Sequence, residues 1–177
     1  RLNFSIRHRS KKTAGLAFGL NGNGMMMRST QTLIWFNSDS GMYRSLPGAI
    51  TLTQQGTAYL DPWISYTGSR GWKHQLRNRY YYLDNNNDNQ QSNKSHLVYN
   101  EYQVQKRFGD ESQPLLHLTA GLASSYTYGI SDIFKGNLSP DSSQSAHCNA
   151  HNLAAYIQAE KSFWKVLNLS VGGRFEY

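Results

Sequence analysis

Apolar and polar residues alternate with a period of two along most of this chain. The pattern is clearest in residues 167–177, where the two alternating sets are Leu167, Leu169, Val171, Phe175 and Tyr177 on one side and Asn168, Ser170, Arg174 and Glu176 on the other. Successive side chains of a β-strand point to opposite faces, so this pattern predicts a strand with one apolar and one polar face. No long stretch shows the three- and four-residue spacing of an amphipathic helix.

The same alternation recurs in about eight stretches, which predicts an all-β fold. The predicted strands centre on residues 2–7, 16–21, 58–66, 75–82, 98–108, 116–128, 155–163 and 167–177. Many of them approach or exceed the ~9–11 residues with which a tilted strand crosses a bilayer. We therefore expect an antiparallel meander of about eight long strands that forms part of a transmembrane β-barrel, with residues 1–177 as one domain.

The predicted connections alternate between short and long. Short, charged links are expected at residues 9–13, 67–72, 109–113 and 163–166, and long, polar links at 37–46, 84–94 and 130–152. Short turns at one end of the strands and long loops at the other are typical of an outer-membrane barrel. Long and short links alternate less regularly in a soluble sandwich.

Aromatic residues are frequent and lie near the ends of the predicted strands. They make up 13 % of the chain, and the relevant ones are Trp35, Trp72, Tyr80, Tyr82, Tyr126, Tyr128, Trp164 and Tyr177. Amphipathic rings at both strand ends suit two girdles at the membrane interfaces. Lys106 and Lys161 fall on the apolar face, close to short turns, where a long side chain reaches the headgroups.

Charge is sparse but unbalanced in this chain. Charged residues are 16 % of the total, below the ~25 % typical of soluble domains, and the net charge is +7. No basic stripe occurs within a recognisable nucleic-acid-binding fold, so no nucleic acid partner is predicted. The single cysteine excludes a disulfide framework within the chain.

Four arginines are predicted to share the polar face, namely Arg77, Arg79, Arg107 and Arg174. Glu101, Glu160 and Glu176 fall on the same face. The interpretation we favour is that these arginines pair with neighbouring carboxylates in a ladder. The alternative is a wall that attracts an anionic ligand.

No motif predicts catalysis, a cofactor or a metal. His147, Cys148 and His151 have ligand-type side chains, but we expect them in a solvated polar loop. The glycine-rich stretch 19–24 is followed by Met25 and lacks the Lys-Ser/Thr of a phosphate-binding loop. No Gly-x-Ser-x-Gly sequence is present. The chain is predicted not to be an enzyme, and no catalytic, cofactor-binding or metal-ligating residue is assigned.

Residues 154–177, AAYIQAEKSFWKVLNLSVGGRFEY, resemble a hairpin of the TonB-dependent outer-membrane receptors, and residues 99–108 and 61–66 resemble other stretches of that family. The resemblance implies a barrel of about 22 strands around an N-terminal plug domain. It also implies import of an iron chelate, cobalamin or a glycan, powered by the TonB complex of the inner membrane. No plug is recognisable and residue 1 is not Met, so we expect a segment of the barrel.

The resemblance further implies a location in the outer membrane. The expected partners are outer-membrane lipid and lipopolysaccharide, the receptor's own plug domain, the TonB complex and an unidentified imported ligand. Two alternatives stay open from the sequence. One is a complete eight-stranded outer-membrane barrel that serves as an anchor or adhesin, since about eight strands close a small barrel. The other is a soluble sandwich whose exposed aromatic residues stack on sugars.

Overall fold

The structure is a computed structural model, and it describes residues 1–37, 39, 44–89, 91–110, 113–132, 147–163 and 167–177. The elements assigned in these residues are eight strands and the short 3₁₀ turn Ser69–Gly71. The strands are β1 (Leu2–Arg9), β2 (Leu16–Thr32), β3 (Ile50–Thr67), β4 (Trp72–Asn87), β5 (Asn93–Asp110), β6 (Gln113–Ser131), β7 (His147–Phe163) and β8 (Leu167–Glu176). In the described part of the chain, no helix has the length and apolar character needed to cross a membrane.

The strands form one antiparallel meander in which each strand pairs with the next along the chain, in the order β1 to β8. The prediction of an all-β antiparallel meander is therefore confirmed. The sheet is open, because the described residues of β1 and β8 do not pair with each other. The closed eight-stranded barrel, one of the alternatives from the sequence, is not the arrangement observed.

The strand register divides the side chains between two faces. Directly opposite residues of antiparallel strands point to the same side, so each row of partners belongs to one face. The apolar face carries Leu2, Phe4, Ile6, Phe18, Leu20, Leu60, Ile64, Leu76, Tyr80, Val98, Tyr102, Leu118, Leu122, Tyr126, Ile157, Val171 and Phe175. The polar face carries Arg7, Arg9, Asn21, Tyr59, Asp61, Trp63, Gln75, Arg77, Arg79, Tyr99, Glu101, Gln103, Arg107, His117, Tyr156, Glu160, Ser170 and Arg174.

This sheet has no second layer among the described residues. Ala17 and Ala123, each 8 % exposed, are the only buried hydrophobic residues there. Large apolar side chains such as Leu122, Ile157 and Phe175 remain open to the surroundings. Because burial of apolar area is the main source of folding free energy, a sheet of this kind needs something apolar against that face.

Tight turns connect the strands at the end of the sheet that holds residues 10–15 and 68–71, which we call the short-turn end. Gly15 has a φ of 84° there, a conformation that L side chains rarely adopt. A Cβ at this position would also collide with the carbonyl oxygen of Thr67. The turn therefore needs glycine, and it brings β2 close to the end of β3.

At the opposite end, the long-loop end, two of the three predicted long links are shorter than expected. The third, predicted at residues 37–46, is longer, because β2 ends at Thr32 and β3 begins at Ile50. Strand β4 extends to Asn87 and β5 begins at Asn93, so most of the predicted link 84–94 is strand. The amide of Asn85 donates to the side-chain oxygen of Asn93 across the hairpin, at 3.1 Å. The predicted link 130–152 is likewise wrong at both ends, because β6 reaches Ser131 and β7 begins at His147. Residues 133–146 lie outside the described part.

Candidate functional site

The polar face is the candidate functional surface, because side-chain hydrogen bonds and ion pairs connect its strands. Asp61 on β3 and Arg79 on β4 form a two-pronged pair, with Nε–Oδ1 at 2.7 Å and Nη2–Oδ2 at 2.6 Å. The same guanidinium lies 5.1 Å from the ring centroid of Tyr59. Two parallel bonds and a stacked ring hold Arg79 in one orientation.

A second group of bonds joins β5 to β7 across β6. The hydroxyl of Tyr156 donates to Oε1 of Glu101 at 2.7 Å, and it accepts a bond from Nε2 of Gln103 at 3.1 Å. Strand β6 permits this contact because Gly121 lies beneath the Tyr156 ring. A Cβ built on Gly121 would lie 2.7 Å from the ring carbon Cε1.

A third group lies at β6, β7 and β8. Glu160 accepts a bond from Nε2 of Gln158 at 2.7 Å, and its other oxygen is 3.6 Å from Nδ1 of His117. Arg174 pairs with Glu176 on β8. Bonds between side chains therefore run along most of the polar face from β3 to β8.

The predicted placement of Arg77, Arg79, Arg107 and Arg174 on one face is confirmed by the register. Their predicted partners are only partly correct. Arg174 does pair with Glu176, but Glu101 is bonded by Tyr156. Arg79 pairs with Asp61, a partner that the sequence did not predict. The two residues lie opposite each other in the register of β3 and β4, and that register could not be read from the sequence alone.

A cleft of about 650 Å³ opens on the polar face over β3, β4 and β5. Asp61, Arg77, Arg79 and Glu101 give its lining both signs of charge, and Trp63 and Tyr99 add aromatic surface. Such a lining offers donors, acceptors and ring faces to a polar solute. It can hold a ligand or a protein segment without any covalent chemistry.

The apolar face carries two aromatic belts. The first, at the short-turn end, surrounds His74, whose ring centroid lies 6.0–6.3 Å from those of Tyr66, Trp72 and Tyr102. The second, at the long-loop end, surrounds His96, with the rings of Tyr80, Tyr82 and Tyr128 at 4.9–6.3 Å. Each histidine also bonds a tyrosine hydroxyl through Nδ1 at 2.8 Å, Tyr102 for His74 and Tyr80 for His96.

These belts match most of the aromatic residues that the sequence placed at strand ends. Trp72, Tyr80, Tyr82 and Tyr128 lie in them, and Tyr126 lies on the same face in the register row of Tyr80. Trp35 lies three residues beyond the end of β2, in an isolated bridge with Ser45, and is not part of either belt. Tyr177 directly follows β8, but its backbone pairs with Leu153, midway between the levels of the belts. Trp164 lies outside the described residues.

Lys106 and Lys161 lie on the apolar face near the short-turn end, as the sequence predicted. The Nζ of Lys106 is 4.8 Å from the ring centroid of Trp72 and 5.5 Å from that of Phe108. The Nζ of Lys161 is 4.7 Å from the centroid of Phe163. A cation over the face of an aromatic ring gains electrostatic stabilisation while it remains at the edge of the apolar band.

The cluster His147, Cys148 and His151 lies in strand β7 and not in the loop that was predicted for it. Residues four apart on a strand are separated by about 13 Å, too far for two histidines to share a metal ion. Cys148 points to the face opposite to the histidines, because neighbours on a strand alternate. Among the described residues, no group of three or more metal-ligating side chains occurs.

Comparison with known proteins gave no match: no protein-family model, curated protein or solved structure matches the chain.

Proposed function

We propose that this chain is part of the wall of an outer-membrane β-barrel receptor of the TonB-dependent kind, which imports a bulky nutrient such as an iron chelate, cobalamin or a glycan. The observation that carries the proposal is a largely apolar face that extends over eight strands, with aromatic belts at two levels of β3 to β6. Between the two belts, Asn78, Asn100 and Ser124 interrupt the apolar side chains. A large exposed apolar surface marks a contact with membrane or protein.

The distance between the belts fits a bilayer. His74 and Tyr82 lie eight residues apart on β4, about 26 Å along a strand with a rise of ~3.3 Å per residue. A tilt of ~40° reduces this to about 20 Å, close to the ~25 Å apolar band of outer-membrane barrels. Strands of 16 to 19 residues, from β2 to β7, are also long enough to extend beyond such a band.

The polar face suits the water-filled side of a large barrel. Its charged and amide side chains bond one another and leave a cleft that a solute or a plug domain can occupy. An eight-stranded barrel would close tightly and fill its own interior with side chains. The open sheet favours a larger barrel, in which the plug, the TonB complex, outer-membrane lipid and lipopolysaccharide would be the partners. Such a wall binds and conducts, and it is not an enzyme.

The import function is tested by nutrient-limited growth in the source bacterium. One strain lacks the gene for the protein that contains this chain, and a second lacks the TonB complex. Iron chelates, cobalamin and glycans are supplied one at a time as the limiting nutrient. We expect one nutrient class to fail to support growth of both strains, because import needs both the wall and its energy source.

Re-expression of the protein from a plasmid should restore growth only where the TonB complex is intact. A growth defect that the gene deletion causes and the TonB deletion does not would contradict energised import and would favour a passive pore or an adhesin. Normal growth of the gene-deletion strain on every nutrient of the three classes would count against a receptor for them.

A further inference from the structure

A second depression lies at the short-turn end of the polar face. It has a volume of about 490 Å³, and its polar lining includes Arg7, Arg9, Ser65, Lys73 and Gln75, with Trp63 at one side. We call it the cationic trough and define it by these six residues. It touches the larger cleft, because Trp63, Ser65 and Gln75 line both.

The register explains the shape of the cationic trough. Arg9 lies in a row with Ala17, Ser65 and Gln75, so two small side chains separate the long ones on β1 and β4. Strands β1 and β4 are three inter-strand spacings apart, about 14 Å. Long side chains on β1 and β4 therefore flank a depression above Ala17 and Ser65.

Every charged side chain that lines the cationic trough is positive. The guanidinium of Arg7 lies 5.8 Å from the Trp63 ring centroid. That ring lies across Gly19, where a Cβ would come within 2.8 Å of two ring carbons. The nearest carboxylates on the polar face are engaged elsewhere, Asp61 by Arg79 and Glu101 by Tyr156. Three cations thus line the cationic trough, and no carboxylate is among its lining residues.

We propose that the cationic trough binds a phosphate group. Two guanidinium forks match the geometry of phosphate oxygens, the ammonium group of Lys73 adds a third charge, and Ser65 and Gln75 supply neutral donors. Three cations match a ligand group with two or more negative charges, such as phosphate, better than they match a carboxylate, which carries one. The assignment goes beyond the proposed import function, and only its assay rests on that function, because the nanodisc has to cover the apolar face.

The test is calorimetric titration of the full chain in phosphatidylcholine nanodiscs with pyrophosphate at low salt. We expect saturable binding to one site, weakened about tenfold by Arg9→Gln and by Lys73→Gln, since each removes a charge-assisted bond. Lys73→Arg and Arg9→Lys keep the charge and should bind within a fewfold of the wild type. Citrate, which offers carboxylates in place of phosphates, should bind more weakly than pyrophosphate.

The matched control is Lys106→Gln, which removes one positive charge at the same end of the sheet but from the apolar face. Its affinity for pyrophosphate should equal that of the wild type. Equal weakening by Lys106→Gln and Lys73→Gln would overturn the proposal, because the attraction would then come from net charge alone. Absence of saturable binding in chains whose β-sheet spectrum is intact would also overturn it.

Nanodiscs of phosphatidylglycerol distinguish two sources of the phosphate group. Because the trough lies on the face opposite to the belts, a soluble phosphate compound is the expected source, and pyrophosphate affinity should not change with the lipid. If phosphatidylglycerol competes with pyrophosphate and Lys73→Gln abolishes that competition, the phosphate site stands and its ligand is a lipid headgroup.

Discussion

Glycine at position 121 leaves the space that the ring of Tyr156 occupies on the polar face. A methyl group there would lie within 2.7 Å of the ring carbon Cε1, and the ring would have to move. The movement would lengthen the bonds of Tyr156 to Glu101 and Gln103. We expect Gly121→Ala to lower the free energy of unfolding by about 1–3 kcal/mol, as overpacking does in well-packed sites.

The matched control for this prediction is Gly24→Ala, since a Cβ at Gly24 meets no atom within 4 Å. That variant should be neutral or more stable by up to about 1 kcal/mol, because alanine loses less conformational freedom than glycine. Denaturant titration in detergent gives both values. Equal stability of the two variants would mean that the Tyr156 bonds contribute nothing to the sheet.

Individual contacts on the polar face were predictable from the sequence only in part. Alternation placed the four arginines on one side, since that needs only the period of two. Their partners depend on register, and a register is set by turns whose lengths the sequence did not reveal. Asp61 meets Arg79 because the β3–β4 turn closes at residues 68–71. A one-residue change in that turn would have placed them on opposite faces.

Strands were predicted more reliably than their ends. All eight exist at the positions that alternation indicated, but β2 and β3 extend over residues 25–32 and 50–57, where the pattern is weak. Methionine, threonine and glutamine dominate those stretches, so apolar and polar residues do not alternate clearly enough there to separate the two faces of a strand. The asparagine-rich tract was predicted as a loop because such residues favour turns. Side-chain bonds such as that of Asn85 to Asn93 extend the hairpin instead.

Adjacent residues of strand β5 give a direct test of its two faces. Leu97 points to the polar face and Val98 to the apolar face, and both are aliphatic. The single native cysteine allows a background with Cys148→Ser. In the membrane, we expect Leu97→Cys to react with a water-soluble maleimide and Val98→Cys to react only with a lipid-soluble one, because apolar lipid would cover Val98.

Labelling of both variants after solubilisation in detergent and unfolding is the control that each cysteine is intact. The opposite preference, with Val98→Cys open to the aqueous reagent in whole membranes, would contradict a lipid-facing belt region. Protection of Val98→Cys in a protein that stays in the aqueous fraction would favour the soluble sandwich.

The sheet as a whole has two exposed edges, β1 and β8. On β8 the register shows which backbone N–H groups point away from the sheet. Leu153 and Tyr177 exchange both backbone bonds, at 2.8 and 2.9 Å. In an antiparallel ladder such pairs alternate along the strand, so Gly173 also points its N–H to β7. Gly172 then points its N–H away from the sheet. Unpaired groups of this kind are a template for pairing with another strand.

Proline substitution tells the outward N–H of Gly172 from the N–H that Gly173 points to β7, because proline removes the backbone donor. In detergent, which covers the apolar face, we expect the 177-residue chain to self-associate through its edges. Gly172→Pro should weaken that association and keep the β-sheet spectrum, since its N–H faces outward. Gly173→Pro should lose the pairing of β8 with β7, since it removes a ladder bond. Sedimentation velocity with infrared spectroscopy measures both effects.

Association that Gly172→Pro leaves unchanged would mean that the β8 edge does not join the chains. That result would count against the proposal that this edge pairs with a neighbouring strand of a larger barrel.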